Sequence, residues 1–334
     1  MTYIGSIKTG FKVINRNWQL VLIQVGAMFI SLFGFFIFIG IPLAIAFIIF
    51  GIDLTNLSRP DDIIGLFKRP SDLLSQYLGL AILLFTSLII YFLSVFVIGV
   101  FVFGGSIGTI ARTIKTTESF HFKTFWTEGK RLFFKLIGFT AIIGAGFLIL
   151  AFILGLLGGA ISALVSFARG QEAALALFLG IFFSLLLFVI GLGLIIIILS
   201  ITVFGAAIIA LDGEGPIRAI KNAIQYIYKR PQGIYLYCLI FFAFVIINFA
   251  LILIGIPMGL VPLIGPLLSF LYQLSLYFLQ SYLGLIMIAT ILVYYHSSLT
   301  PPTEKDSTQT LDTFPSTDPR QGEVHPQKGE TAQA

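Results

Sequence analysis

Apolar residues run almost unbroken over six stretches, roughly 18–41, 78–110, 136–165, 174–210, 234–255 and 267–295, and the charged residues fall between them. Each stretch reaches or exceeds the ~20 residues that a helix needs to cross hydrocarbon. The pattern predicts an all-α integral membrane protein with six transmembrane helices. Stretches longer than a minimal crossing should tilt, extend past the headgroups or end in short re-entrant pieces. Lys8, Lys12 and Arg16 precede the first stretch and Ala44-Ile45-Ala46 follows it like a cleavage site, as in a secretory signal. Its run from Leu20 to Pro42 is longer than the ~7–15 residues of a signal core, so it reads as an uncleaved span.

A second pattern lies between the spans. In 216–233, PIRAIKNAIQYIYKRPQG, the residues Ile217, Ile220, Ile224 and Ile227 recur at helical spacing, and Arg218, Lys221, Gln225 and Lys229 fill the other faces. Pro216 suits the first position of a helix, and Pro231 with Gly233 closes it. Such a helix lies in the interface, with its stripe in the acyl boundary and its cations among anionic headgroups. The same spacing occurs 213 residues earlier at Ile4, Ile7, Phe11 and Ile14, and 95 earlier at Phe122, Phe125, Gly129 and Leu132. FIGIP at 38–42 returns as LIGIP at 253–257, with Gly158-Gly159 at the equivalent place in the middle copy. Three pseudo-repeats are therefore expected, at about 1–112, 113–211 and 212–297, each an interfacial amphipathic helix followed by a two-span hairpin.

Charge then sets orientation. The N-terminal segment carries Lys8, Lys12 and Arg16, and the second loop Arg112, Lys115, Lys123, Lys130, Arg131 and Lys135 against Glu118 and Glu128. The fourth loop carries Arg218, Lys221, Lys229 and Arg230 against Asp212 and Glu214. The first loop is slightly acidic, the third pairs Arg169 with Glu172, and the fifth is uncharged. Alternation of Lys and Arg between rich and poor sides places the N-terminus, the even-numbered loops and the tail in the cytoplasm. Only 10% of the 334 residues are charged and 58% are hydrophobic, against about 25% charged in a soluble domain. Residues 298–334, rich in Thr, Pro, Gln and charge, read as a disordered cytoplasmic tail.

Candidate chemistry is sparse. His121, His296 and His325 are far apart, Cys238 is the only cysteine, and the short motifs of metal, nucleotide and nucleophile sites do not occur. No catalytic, cofactor or metal site is expected. Asp61, Asp62 and Asp72 in the first loop read as a solvated acidic loop, and Asp212 and Glu214 as favourable charges at a helix start. The spans hold no Asp, Glu, Lys, Arg or internal His, the residues that ion-coupled carriers keep there as relays. The intramembrane polar residues are Gln24, Asn248, Gln273 and Gln280, expected to bond between helices. Glycine pairs such as Gly104/Gly108, Gly155/Gly159 and Gly255/Gly259 permit close helix packing.

The segment AIKNAIQYIYKR at 219–230, the basic amphipathic segment before each hairpin, and a last span ending in Val293-Tyr294-Tyr295 resemble a bacterial membrane family. It is the family grouped with the membrane domain of glycerophosphoryl diester phosphodiesterases. That resemblance covers about residues 1–297 and implies a membrane-domain architecture. Hydrolase chemistry in such a phosphodiesterase belongs to a separate soluble barrel, so no catalytic residue carries over.

These readings lead to a non-enzymatic inner-membrane protein, a scaffold or partner-binding module. Its cytoplasmic interfacial helices would contact anionic lipid through Lys8, Lys12, Arg16, Lys130, Arg131, Lys135, Arg218, Lys221, Lys229 and Arg230. Membrane lipids and a protein in the membrane are the expected partners, and nucleic acid is not. The rival is a carrier or flippase-like pathway for lipid or an apolar solute. A groove lined by Gln24, Asn248, Gln273 and Gln280 would favour the carrier, and a filled, glycine-packed centre the scaffold.

Overall fold

A computed structural model describes residues 2–56, 77–257 and 264–299. Asp61, Asp62, Asp72, Gly259 and the tail from residue 300 lie outside the described residues. Among those described there are eight helices and no strands. Helix α1 is Tyr3–Arg16. Helix α2 runs as Gln19–Phe35, a π-helical turn Phe36–Gly40, and Ile41–Asn56. Then follow α3 (Leu78–Thr116), α4 (Phe122–Arg169), α5 (Ala173–Asp212), α6 (Pro216–Lys229), α7 (Gln232–Gly255) and α8 (Gly265–Leu299). Six of them, α2, α3, α4, α5, α7 and α8, are long and apolar enough to cross a membrane. A bilayer offers peptide groups no water, and a helix satisfies them within its own segment. The protein is a multi-pass, all-α membrane protein.

The middle amphipathic segment departs from expectation. Residues 122–135 do not form a separate interfacial helix; they are the first turns of α4, which continues without a break to Arg169. The physical reason is punctuation. α1 ends where buried Asn17 turns back on it, its Nδ2 donating to the Val13 carbonyl at 2.7 Å, and α6 ends at Lys229, two residues ahead of Pro231. No proline interrupts residues 122–165, so nothing stops the helix before the span. At 48 residues α4 is about 72 Å long at 1.5 Å per residue, so it is strongly tilted or extends well beyond the hydrocarbon.

The recurring G-I-P also has two outcomes. Pro42 has no N–H to donate, and α2 absorbs this with the π-turn, the Ile41 N–H reaching back five residues to the Phe36 carbonyl. At the second copy α7 ends at Gly255. The Tyr272 ring of α8 packs against Gly255, where no β-carbon would fit, and its hydroxyl donates to the Leu251 carbonyl. Gly158 and Gly159 lie inside the unbroken α4.

Burial is concentrated at one end of the bundle, here termed the basic end. Its core is built from the C-terminal parts of α3 (Ile107, Ile110), α5 (Phe204, Ile208, Ile209) and α8 (Ala289, Ile291, Leu292), all almost fully buried. Farther along, the spans present large apolar side chains outward, as lipid-facing surfaces do.

Small residues bring the backbones together at the basic end. Gly104, Gly105 and Gly108 of α3 receive Leu136, Phe125 and Glu128 of α4. Gly205 of α5 receives Phe139 of α4 and lies beside the Ala219 carbonyl of α6. Gly10 of α1 lies on Thr290 of α8. Each amphipathic segment thus packs on the C-terminal part of one long helix: α1 on α8, the start of α4 on α3, and α6 on α5. The order is cyclic.

Candidate functional site

The basic end gathers the cations that the sequence assigns to lipid, and the structure divides them into two groups. The first group is occupied by helix C-termini. The last carbonyls of an α-helix have no intrahelical partner and carry the negative end of its dipole. Arg16 donates to the Thr113 and Glu118 carbonyls at the end of α3, at 3.5 and 3.2 Å. At the end of α5, Arg131 donates to the Ala210 carbonyl at 3.5 Å, Lys135 to that of Gly213, and Lys115 of α3 to that of Leu211. Arg230 donates to the Ser298 carbonyl at the end of α8 at 2.5 Å. These bonds follow the same cyclic order one step on. Arg16, Arg131, Lys135 and Arg230 therefore hold helix ends together, a role the sequence reading did not give them.

Two of these helix ends share a further detail. Gly213 after α5 has φ +71° and Thr117 after α3 has φ +55°, each donating its N–H four residues back. The left-handed residue turns the chain off the helix and leaves carbonyls facing the incoming cation. Asp212 and Glu214 beside that turn accept from the Tyr295 hydroxyl at 2.8 Å and the Asn222 amide at 2.6 Å. Nearby, burial raises the pKa of the Tyr226 hydroxyl, against the opposing effects of its Ser298 hydrogen bond and the Arg230 charge.

The second group is exposed: Lys8 and Lys12 on α1, Lys130 on α4, and Arg218, Lys221 and Lys229 on α6. Lys130 stands over the Trp126 ring, 5.5 Å from its centre. Lys123, two turns earlier on the same face, is also exposed. The apolar stripes divide as well. Ile4 and Phe11 of α1 and Ile217 and Ile224 of α6 point outward, while Ile14 and Ile227 are buried. The inward faces of these two helices also hold small residues at corresponding positions, Ser6 and Gly10 in α1, Ala219 and Ala223 in α6. Asn15 Oδ1 of α1 accepts from the Tyr282 hydroxyl of α8 at 2.5 Å.

Glu128 was missed as a structural residue. It is 7% exposed, packs on Gly108, and pairs with Arg131 at 2.6 Å. The signal was present, since residues three apart share a helix face.

The four intramembrane polar residues do not converge on one cavity. Asn248 donates to the Phe244 carbonyl of its own helix at 2.7 Å, and Gln273 is exposed. Gln24 lines a cavity of about 350 Å³ between α2 and α3, with Ser31 and with Tyr277 of α8. Tyr277 was not singled out, although it lies on the α8 face between Gln273 and Gln280. On the other side of the α2–α3 contact is a larger apolar cavity of about 680 Å³, walled by the start of α4. No group of three or more His, Cys, Asp or Glu that could hold a metal occurs among the described residues. His121 bonds the nearby Ser119 carbonyl through Nδ1 at 3.0 Å. No protein-family model, curated protein or solved structure matches the chain.

Proposed function

We propose that this protein is a non-enzymatic scaffold or partner-binding protein of the bacterial inner membrane, with its basic end in the cytoplasm and its amphipathic helices on anionic lipid. One observation carries the reading: α1 and α6 turn small residues inward and present Ile4, Phe11, Ile217 and Ile224 outward beside exposed Lys8, Lys12, Arg218 and Lys221. An apolar face rimmed with cations is what an interfacial helix offers a leaflet of negative surface potential. Both termini fall on the cytoplasmic side by the distribution of Lys and Arg. An arrangement of three related units is supported by the cyclic packing and the cyclic carbonyl contacts. The likeness to the phosphodiesterase membrane domain fits the same picture. The glycine-packed basic end favours a scaffold over a carrier, because rigid close contacts there leave little to rearrange.

Native mass spectrometry of the protein released from its own membranes in lipid particles tests the proposal. A stoichiometric protein companion with co-purified anionic lipid supports it. A retained apolar solute, lost on Gln24→Leu with Tyr277→Phe, would replace it with a carrier built on the smaller cavity.

A further inference from the structure

We propose that the larger apolar cavity is a site for one anionic phospholipid, its phosphate at Lys130 and one acyl chain between α2 and α3. The inference rests on the interfacial reading above and adds a defined site to it. Its volume of about 680 Å³ lies within the ~300–1,000 Å³ usual for small-molecule sites.

Geometry gives the cavity a direction. α2 leaves the basic end at Gln19 and α3 returns to it at Thr116. Ile23 to Ile30 on α2 and Phe101 to Val97 on α3 therefore both run from the basic end into the apolar layer, a depth of about 10 Å on α2. The wall at the top is the start of α4, with Phe122, Trp126 and Lys130. One end of the cavity is thus aromatic and cationic, and the other is hydrocarbon, matching the two ends of a phospholipid.

Charge selects the headgroup. Lys130 is the one charged side chain among the described residues lining the cavity. No carboxylate among the described residues pairs with it. Glu128, two positions away, is engaged by Arg131 and faces α3. The Trp126 face holds the ammonium at the rim and leaves its N–H donors free for phosphate oxygens. Exposed Lys123 adds a second positive charge on the same face.

The chain has two tryptophans, Trp18 and Trp126, so Trp18→Phe leaves Trp126 as a reporter. The full-length variant is reconstituted in phosphatidylcholine vesicles containing rising fractions of phosphatidylglycerol brominated high on its acyl chains. The expected result is quenching of Trp126 that saturates at a low fraction of the brominated anionic lipid and is not reproduced by brominated phosphatidylcholine. Lys130→Gln should raise the half-quenching fraction about tenfold, the loss of one charge-assisted hydrogen bond. Gly26 lines the cavity, and a β-carbon there meets nothing within 4 Å. Gly26→Leu should therefore fill the cavity without a backbone clash and abolish the saturable phase. Lys8→Gln with Lys12→Gln should leave that phase unchanged.

Quenching that rises with lipid fraction alike for both headgroups, or saturable quenching indifferent to Lys130→Gln and Gly26→Leu, overturns the proposal. So does a Trp126 shielded from every brominated lipid, which would mean that a protein surface or a second copy covers the cavity. If saturation is absent while anionic lipid still co-purifies and is lost on replacing Lys8, Lys12, Arg218 and Lys221, the groove falls and the interfacial reading stands. If neither behaviour is seen, both fall.

Discussion

Gly10 of α1 lies directly on the main chain of Thr290 in α8: a β-carbon on Gly10 would stand 2.5 Å from Thr290 Oγ1 and 2.9 Å from its backbone nitrogen. Backbone cannot rotate aside as a side chain can, so this contact sets how closely the first helix approaches the last.

Gly10→Ala should therefore destabilise the protein, although alanine is the better helix former. The propensity gain is about 1 kcal/mol, and forcing extra volume into a packed contact costs about 1–3 kcal/mol. Gly26→Ala, with open space around the new carbon, should be neutral or stabilising. Thermal unfolding in detergent compares the two, and equal midpoints would mean that α1 does not seat on Thr290.

Lys135→Met should lower stability by about 1 kcal/mol through the loss of a charged donor at a helix C-terminus. The loss should be as large in zwitterionic detergent as with anionic lipid added, and Lys135→Arg should recover part of it. Replacing exposed Lys8 and Lys12 by Gln should matter only when anionic lipid is present. A Lys135 effect that appears only with anionic lipid would return that residue to headgroup contact.

Arg131→Ala leaves the nearly buried Glu128 carboxylate without its cation. Because Arg131 is itself half exposed, the cost should fall below the ~3–5 kcal/mol of a fully buried broken pair. Adding Glu128→Gln should restore part of the stability. Chemical denaturation of the two single variants and the double variant measures the coupling, and strictly additive losses would show that the two charges do not interact.

Tyr226 gives a pH dependence with a definite sign. Its pKa is raised above the ordinary 10.0 by burial, so the unfolded chain loses this proton first. Its contribution to stability is complete below about pH 10 and fades as the pH climbs through the folded-state value. Tyr226→Phe should flatten that alkaline decline in a melting-temperature profile.

Orientation is tested by changing Lys8, Lys12, Arg16, Lys130, Arg131 and Lys135 together to Gln in a Cys238→Ser background carrying single reporter cysteines. On the proposed topology both segments are cytoplasmic, and their retention there should weaken, read as new labelling by an impermeant thiol reagent from the opposite side. Unchanged labelling would mean that these charges do not set topology. Arg16, Arg131 and Lys135 also bond helix ends, so unfolding is followed in parallel.

The six spans and the all-α class were fixed locally, because a bilayer leaves an apolar stretch of this length only one way to satisfy its own peptide groups. Start and stop signals were equally local: Pro216 and Pro231 bound α6 wherever that helix packs. What local pattern left open was the destination of each polar group. Arg16 and Lys12 look alike in sequence, yet one meets carbonyls about a hundred residues away and the other meets the exterior. The same holds for Glu128, buried by its contact with Gly108, and for the cavity that Ile23, Val97 and Lys130 share. Which unsatisfied helix end lies within reach of which cation depends on how closely Gly10, Gly108 and Gly205 let the helices approach. Tertiary packing decided that, because the carbonyls at a helix end attract any cation within reach and only the fold brings a particular one there.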